Sequence, residues 1–267
     1  MDLLGHIKVP TVKEEYIGDD GLKRCCQCHK QTEHIINFLG EQKKVRCICD
    51  CIEKEIEKQK EKEKREEIDR MRKVCFAETN MANWNFQNDD RRNEKLSDAM
   101  KRYADNFDQM KKDGKGLLLW GGVGTGKTYY ASCIANALLD KGHPVLMTNF
   151  SRLINKIQGM FDGKQEYIDS LNRYSLLIID DLGAESKSDF RKELIFNIID
   201  SRYRSGLPFI VTSNLTLNEL RKAEDLENAR AYDRVLERCF PIEVNMVSRR
   251  KEKLLNTYHE TKEILGL

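Results

Sequence analysis

The sequence predicts an α/β protein in which a mostly parallel sheet is flanked by helices, preceded by a small cysteine-rich module and a charged helical linker. Three observations predict it. From about residue 75 onward, short apolar runs alternate with helix-forming stretches, the pattern of strands joined by crossover helices. One of those runs leads straight into a glycine-rich loop ending in Gly-Lys-Thr, and a helix-forming stretch follows it. Six of the nine cysteines are gathered between residues 25 and 51, too dense for a solvent-facing loop without a purpose. The boundaries that follow are 1–51 for the module, 52–74 for the linker and 75–267 for the α/β domain.

The module carries Cys25-x-x-Cys28 and, about twenty residues later, Cys47-x-Cys49-x-Cys51. Two thiolate knuckles at that separation can close a tetrahedral Zn²⁺ site from four of these five residues. One of Cys47, Cys49 and Cys51, together with Cys26, is left outside the ligand set, and the spacing does not say which of the three. His29 and His34 read as surface residues. Between the knuckles, Glu33 to Arg46 predicts a hairpin turning at Gly40. A segment this short has little core, so a metal would supply much of its folding free energy. The linker, Ile52 to about Lys73, mixes acids and bases at helical spacing, as in Glu61/Arg65 and Glu66/Arg70. It predicts an exposed spacer helix roughly 30 Å long.

In the α/β domain, Leu96, Met100, Tyr103 and Phe107 recur at helical spacing and predict a helix from about Arg92 to Lys112. Strands are predicted at 117–120, 144–148, 176–179, 209–212 and 242–244. The loop after the first strand is Gly121, Gly122, Val123, Gly124, Thr125, Gly126, Lys127 and Thr128, with Tyr129 opening the helix. Glycines let such a loop wrap closely enough for backbone N–H groups to face phosphate oxygens at the positive end of a helix. Lys127 would reach the β- and γ-phosphates, and the Thr128 hydroxyl would hold Mg²⁺. The expected ligand is a nucleoside triphosphate.

Four apolar residues, Leu176 to Ile179, end in Asp180 and Asp181. A buried parallel strand delivers carboxylates to the sheet edge where the phosphate loop also ends. Asp180 is placed to organise Mg²⁺, and Asp181 to orient or deprotonate the attacking water, with Glu185 a second candidate for that base. Asn214, after Ile210-Val-Thr-Ser, can bridge the γ-phosphate and the water.

These motifs, with Ala229-Arg230-Ala-Tyr-Asp233-Arg234 and Ser248-Arg249-Arg250, resemble an AAA+ ATPase. Within that class the chain is similar to the DnaC/DnaI-type replicative helicase loaders, particularly phage- and mobile-element-borne forms with a cysteine-rich N-terminus. The resemblance implies that ATP is the nucleotide and that Asn214 is the sensor-1 residue. It implies that Arg234, supported by Arg230, is an arginine finger completing a neighbour's site, and that Arg250 or Arg249 is the sensor-2 arginine. It also implies self-association, binding of a hexameric replicative helicase through the cysteine module, and contact with single-stranded DNA. Trp84 and Phe86 would line the adenine. Phe150, Arg152 and Lys156 mix an aromatic with two cations and are the candidates for DNA contact. Asp181 stands where many AAA+ proteins carry Glu, which implies slow hydrolysis. A transposition-helper ATPase shares this core but usually lacks paired cysteines, and a non-hydrolysing ATP-dependent adaptor is a further alternative. A replication initiator is disfavoured, because residues 251–267 leave room for one helix only.

Composition narrows the partners. The chain is 34% charged yet carries a net charge of only +2, so contact with nucleic acid must come from a local patch. No run approaches a membrane span, and the N-terminus lacks the features of a signal peptide. With cysteines that read as metal ligands and buried thiols, the expected compartment is the cytoplasm.

Overall fold

The structure is a computed structural model that describes residues 14–77, 80–183, 188–223, 225–248, 254, 257–258 and 261–266. The chain divides into two compact units, Met1–Glu67 and Ile68–Leu267.

In the first unit, strands β1 (Glu15–Ile17) and β2 (Lys23–Cys25) pair antiparallel. The predicted hairpin forms from β3 (Glu33–Phe38) and β4 (Glu41–Arg46), in register from Glu33↔Arg46 to Phe38↔Glu41. Its buried cluster is Cys25, Cys49 and Ile52, with Leu22 buried beside β2, so cysteine sulfurs largely stand where a larger domain would have a hydrocarbon core. Helix α1 (Asp50–Phe76) starts here and crosses the boundary between the units. It is longer at both ends than the charge pattern predicts. Asp50 sits in its first turn and pairs with Lys30 at 2.6 Å. Its last residues, Cys75 and Phe76, turn apolar and are buried in the second unit's core. The middle is exposed, with Glu61–Arg65 and Lys62–Glu66 pairs at 3.9 and 4.0 Å that contribute little individually.

The second unit holds one five-stranded parallel sheet. Its strands are β5 (Gly116–Trp120), β6 (Val145–Asn149), β7 (Leu176–Leu182), β8 (Phe209–Ser213) and β9 (Cys239–Glu243), in spatial order β6-β7-β8-β5-β9. The apolar runs are buried on both faces. One core includes Met100, Phe107, Leu119 and Ile134, and the other includes Leu118, Phe150, Ile198 and Val235. The helix predicted over Arg92–Lys112 is two helices, α2 (Glu94–Asp105) and α3 (Phe107–Lys112). Asn106 breaks it: its Nδ2 and its backbone N–H both donate to the Arg102 carbonyl, closing one helix while the next begins. Helix α4 (Lys127–Asp140) follows β5, and α5 (Phe150–Gln158), α6 (Lys164–Ser170), α7 (Asp189–Arg204), α8 (Leu217–Arg221) and α9 (Leu226–Arg238) lie in the same unit. Among the described residues, no helix is long and apolar enough to cross a membrane.

Candidate nucleotide site and cysteine cluster

The loop between β5 and α4 bends as its glycines allow. Gly121 has φ +145°, and a Cβ there would lie 2.6 Å from the Val244 carbonyl oxygen. Gly126 has φ +103° and caps α4, so the first N–H groups of that helix open toward the loop. Thr125 Oγ1 donates to the Gly122 carbonyl at 2.9 Å, fastening the loop to itself. Lys127 is buried, and its Nζ donates to the carbonyls of Gly121 (2.9 Å) and Gly122 (2.7 Å) and to Asn214 Oδ1 (2.7 Å). Asn214 follows β8, so the phosphate-loop lysine and the strand-end amide share one site.

The carboxylates meet the loop from β7. Thr128 Oγ1 lies 3.0 and 3.1 Å from the two Asp180 oxygens. A hydroxyl and a carboxylate so close are a hard-oxygen pair suited to Mg²⁺, and the residues present fit that ion. Thr212 Oγ1 donates to Asp180 Oδ1 at 2.5 Å and accepts the Asp181 N–H at 2.9 Å. Burial pushes the Asp180 carboxyl above the usual carboxylate range, and Asp181 adds to that push. Hydrogen bonds from Thr212 and Thr128 and the charge of Lys127 oppose it. The ladder between β7 and β8 shifts register between Ile179 and Leu182, where Asp181 takes a left-handed φ of 60°. The bulge turns Asp181 outward, exposed, while Asp180 stays against the loop. Thr212 was not among the residues singled out from the sequence. It sits two positions before Asn214, but its role becomes visible only through the β7–β8 register.

Tyr129 OH donates to the Asn85 carbonyl at 3.2 Å, and its ring lies 6.0 Å from that of Trp84. Asn136 Nδ2, two turns further along α4, donates to the carbonyls of Met81 and Trp84 at 3.1 and 2.9 Å. The segment bearing Trp84 is thus pinned to the phosphate-loop helix, while Phe86 packs partly buried on the core.

Arg230 and Arg234 lie one turn apart on α9 and face α7, with contacts to Phe196 and Asp200. Arg234 pairs with Asp200 at 2.7 Å and lies over the Phe196 ring at 4.5 Å. Arg230, exposed, lies over the same ring at 4.6 Å. Glu185, Arg249 and Arg250 fall outside the described residues.

Of the residues considered for DNA contact, Phe150 is fully buried in the core and has no face to offer a base. Its apolar ring fills the space between α5 and the sheet, which the sequence alone could not separate from a stacking platform. Lys156 lies over the Tyr167 ring at 4.5 Å, and Arg152 helps line a cavity of about 90 Å³ beside Asp180. The exposed aromatic in this region is Phe161, 98% accessible between Gly159 and Gly163. Its flanking glycines were the available signal.

In the other unit, the sulfurs of Cys25, Cys28, Cys49 and Cys51 lie within 4.8 Å of one another and can hold a metal ion. Cys47 stands apart, its thiol donating to the Gln31 carbonyl at 3.2 Å, and Cys26 is exposed. The Lys30 backbone N–H holds the Cys28 thiol down to about 7, whereas lost hydration pushes Cys51 up to about 12. Four thiols converging at one point suit a soft-ligand tetrahedral site such as zinc's.

The sequence profile of the IstB-like ATP binding protein family matches residues 42–257. The replicative helicase loader DnaI of Bacillus subtilis is 28% identical over 149 residues, covering 51% of this chain and 48% of the relative. A putative insertion sequence ATP-binding protein of Sinorhizobium fredii is 29% identical over 146 residues, 53% of this chain and 49% of that protein. The chain therefore spans about half the length of these curated relatives. A crystal structure of the DnaC helicase loader superposes with a TM-score of 0.52 at 24% identity, covering 62% of this chain and 98% of that one, a likeness of fold.

Proposed function

The chain belongs to the IstB-like ATP-binding protein family, and from that premise we propose that it is an ATP-dependent loader of a hexameric replicative helicase onto single-stranded DNA, acting in the cytoplasm. One observation carries the reading. Lys127 and Asn214 on one side, and Thr128, Asp180 and Thr212 on the other, converge where the phosphate loop meets the ends of β7 and β8. In the proposed mechanism the loop amides and Lys127 hold the β- and γ-phosphates, and Thr128 with Asp180 would hold Mg²⁺. The ion, when bound, neutralises phosphate charge. Asp181, exposed at its bulge, orients or deprotonates the attacking water, and Asn214 steadies it.

Arg230 and Arg234 are proposed to complete the site of a second copy, with Arg250 or Arg249 in the sensor-2 role. A guanidinium stabilises phosphoryl charge that grows in the transition state. The Asp200 partner of Arg234 means that this side chain must exchange one anion for another to do so. Zinc on Cys25, Cys28, Cys49 and Cys51 would fold the module that meets the helicase. Phe161, rather than Phe150, supports contact with single-stranded DNA, because an exposed ring can stack on bases of any sequence.

Steady-state ATP hydrolysis tests this, using the full chain and Asp181→Asn with and without helicase and single-stranded DNA. The expected result is slow turnover that helicase and DNA stimulate, and a loss on the order of 10² or more in the variant. Equal rates for both proteins in every condition would leave a non-hydrolysing adaptor. The insertion-sequence relative favours one rival, a transposition helper, and stimulation by duplex DNA alone would select it.

A further inference from the structure

Hairpin β3–β4 ends in a two-residue turn, with Phe38 opposite Glu41 and both central residues at positive φ, 54° for Leu39 and 83° for Gly40. Such a turn matches the strand twist but favours Asn, Asp or Gly at its first central position. Gly40 meets the requirement at the second. Leu39 does not, because the Cβ of an L-residue crowds the backbone in this conformation. Burial does not compensate, since Leu39 is 90% exposed. A strained apolar side chain held out in water serves neither local geometry nor a core, and such conflicts mark functional positions.

The apolar surface continues down the strand. Phe38, Ile36 and Ile35 are each about half exposed, and Lys43 lies over the Phe38 ring at 5.5 Å. The flank is basic: β4 carries Lys43, Lys44 and Arg46 against Glu41, while Glu33 on β3 faces Lys23 at 3.7 Å. All three have partners, Lys43 the loosest, 4.0 Å from the Glu41 carboxylate. Lys44 donates to the Gly21 carbonyl at 2.9 Å, and Arg46 pairs with Glu15 at 3.2 Å. This arrangement is poor for gripping a phosphate backbone, which needs cations able to turn outward. It suits a protein surface instead, where an aliphatic tip fills a pocket and a positive flank meets carboxylates at the rim.

We propose that Leu39, with Phe38 and Ile36 beside it, anchors a protein-docking hairpin whose occupant is the replicative helicase, received in an apolar pocket rimmed by acidic residues. This rests on the loader reading and assigns its contact to one turn. Leu39→Asn removes the anchor while supplying a residue that accepts the positive φ, and Leu39→Gly does so with no side chain at all.

The test measures binding of the full chain to purified hexameric helicase and to single-stranded DNA, with melting temperature and ATP affinity followed in parallel. Both variants are expected to melt no lower than the parent and to bind ATP equally, yet to lose about 30-fold in helicase affinity. Helicase binding within about twofold of the parent in both variants would overturn the docking turn and leave the loader reading standing. Loss of DNA binding with helicase binding kept would overturn it in favour of a nucleic-acid surface. If the parent itself binds no helicase, the loader reading fails and the proposal with it.

Discussion

Thr212 shows how much one hydroxyl can organise. It donates to Asp180 and accepts from the Asp181 amide, so it fixes both the depth of one carboxylate and the bulge that turns the other outward. Thr212→Val keeps the shape and removes both bonds. Leaving a part-buried amide and carboxylate short of a partner costs about 1 kcal/mol, read as a lowered denaturation midpoint. It also removes a contact that lowers the Asp180 pKa, which burial already holds above the ordinary value. The carboxyl then needs a higher pH to ionise. The acidic limb of the pH–activity profile should therefore move to higher pH in Thr212→Val, with a higher KM for Mg-ATP. An unmoved limb would mean that Thr212 does not tune Asp180. The sequence displayed the carboxylates because an apolar run ending in Asp-Asp is a local pattern. Thr212 was illegible because its partners lie 31 and 32 residues away, reached only through strand register.

At the scale of elements, the strands were legible and their fastenings were not. Leu117–Trp120 and Leu176–Ile179 read as buried parallel strands because both faces are covered, leaving continuous apolar runs. The three-residue strands β1 and β2 have no such signature, and a single Asn at 106 was too small a mark to divide one predicted helix into two. Arg202 is the clearest hidden fastening. Reading its place on α7 gives a surface charge, yet it is 1% exposed. Its guanidinium donates to the carbonyls of Tyr174 (3.0 Å), Ser175 (3.1 Å) and Pro208 (2.7 Å), tying together the segments that feed β7 and β8. Burial lowers its pKa to about 10, so it stays charged near neutral pH. Arg202→Met would strand those carbonyls and is expected to destabilise the protein by about 3–5 kcal/mol, measured by chemical denaturation. A loss below about 1 kcal/mol would show that water replaces the staple.

For the molecule as a whole, the two units draw their stability from different sources. The Ile68–Leu267 unit buries two apolar clusters against a sheet, whereas the Met1–Glu67 unit buries chiefly cysteine and one isoleucine. The larger unit should fold without metal, and the smaller should depend on it. Chelation followed by restored Mg²⁺, or Cys49→Ser, is expected to remove the calorimetric transition of the smaller unit while ATP affinity changes by less than about twofold. Retention of both transitions after complete metal removal would refute a structural metal. The parallel sheet and the cysteine cluster were readable because apolar alternation and cysteine spacing are one-dimensional signals. The ligand choice was not, since Cys47, Cys49 and Cys51 differ only in where the chain turns after them. Folding separates them by sending the Cys47 thiol to the Gln31 carbonyl and the other two to the cluster.

The three bonds of Lys127 have one more consequence. An incoming nucleotide does not find a lysine waiting in water. It must draw the ammonium away from partners that include two carbonyls and an amide, beside the Asp180 carboxylate. A phosphate bearing full negative charge wins that exchange, because it adds the attraction of opposite charges to the hydrogen bond. A nucleoside, or a monophosphate too short to reach, does not. On the proposed reading the loop carries its own admission threshold, and crossing it would break the bond to Asn214 just beyond β8.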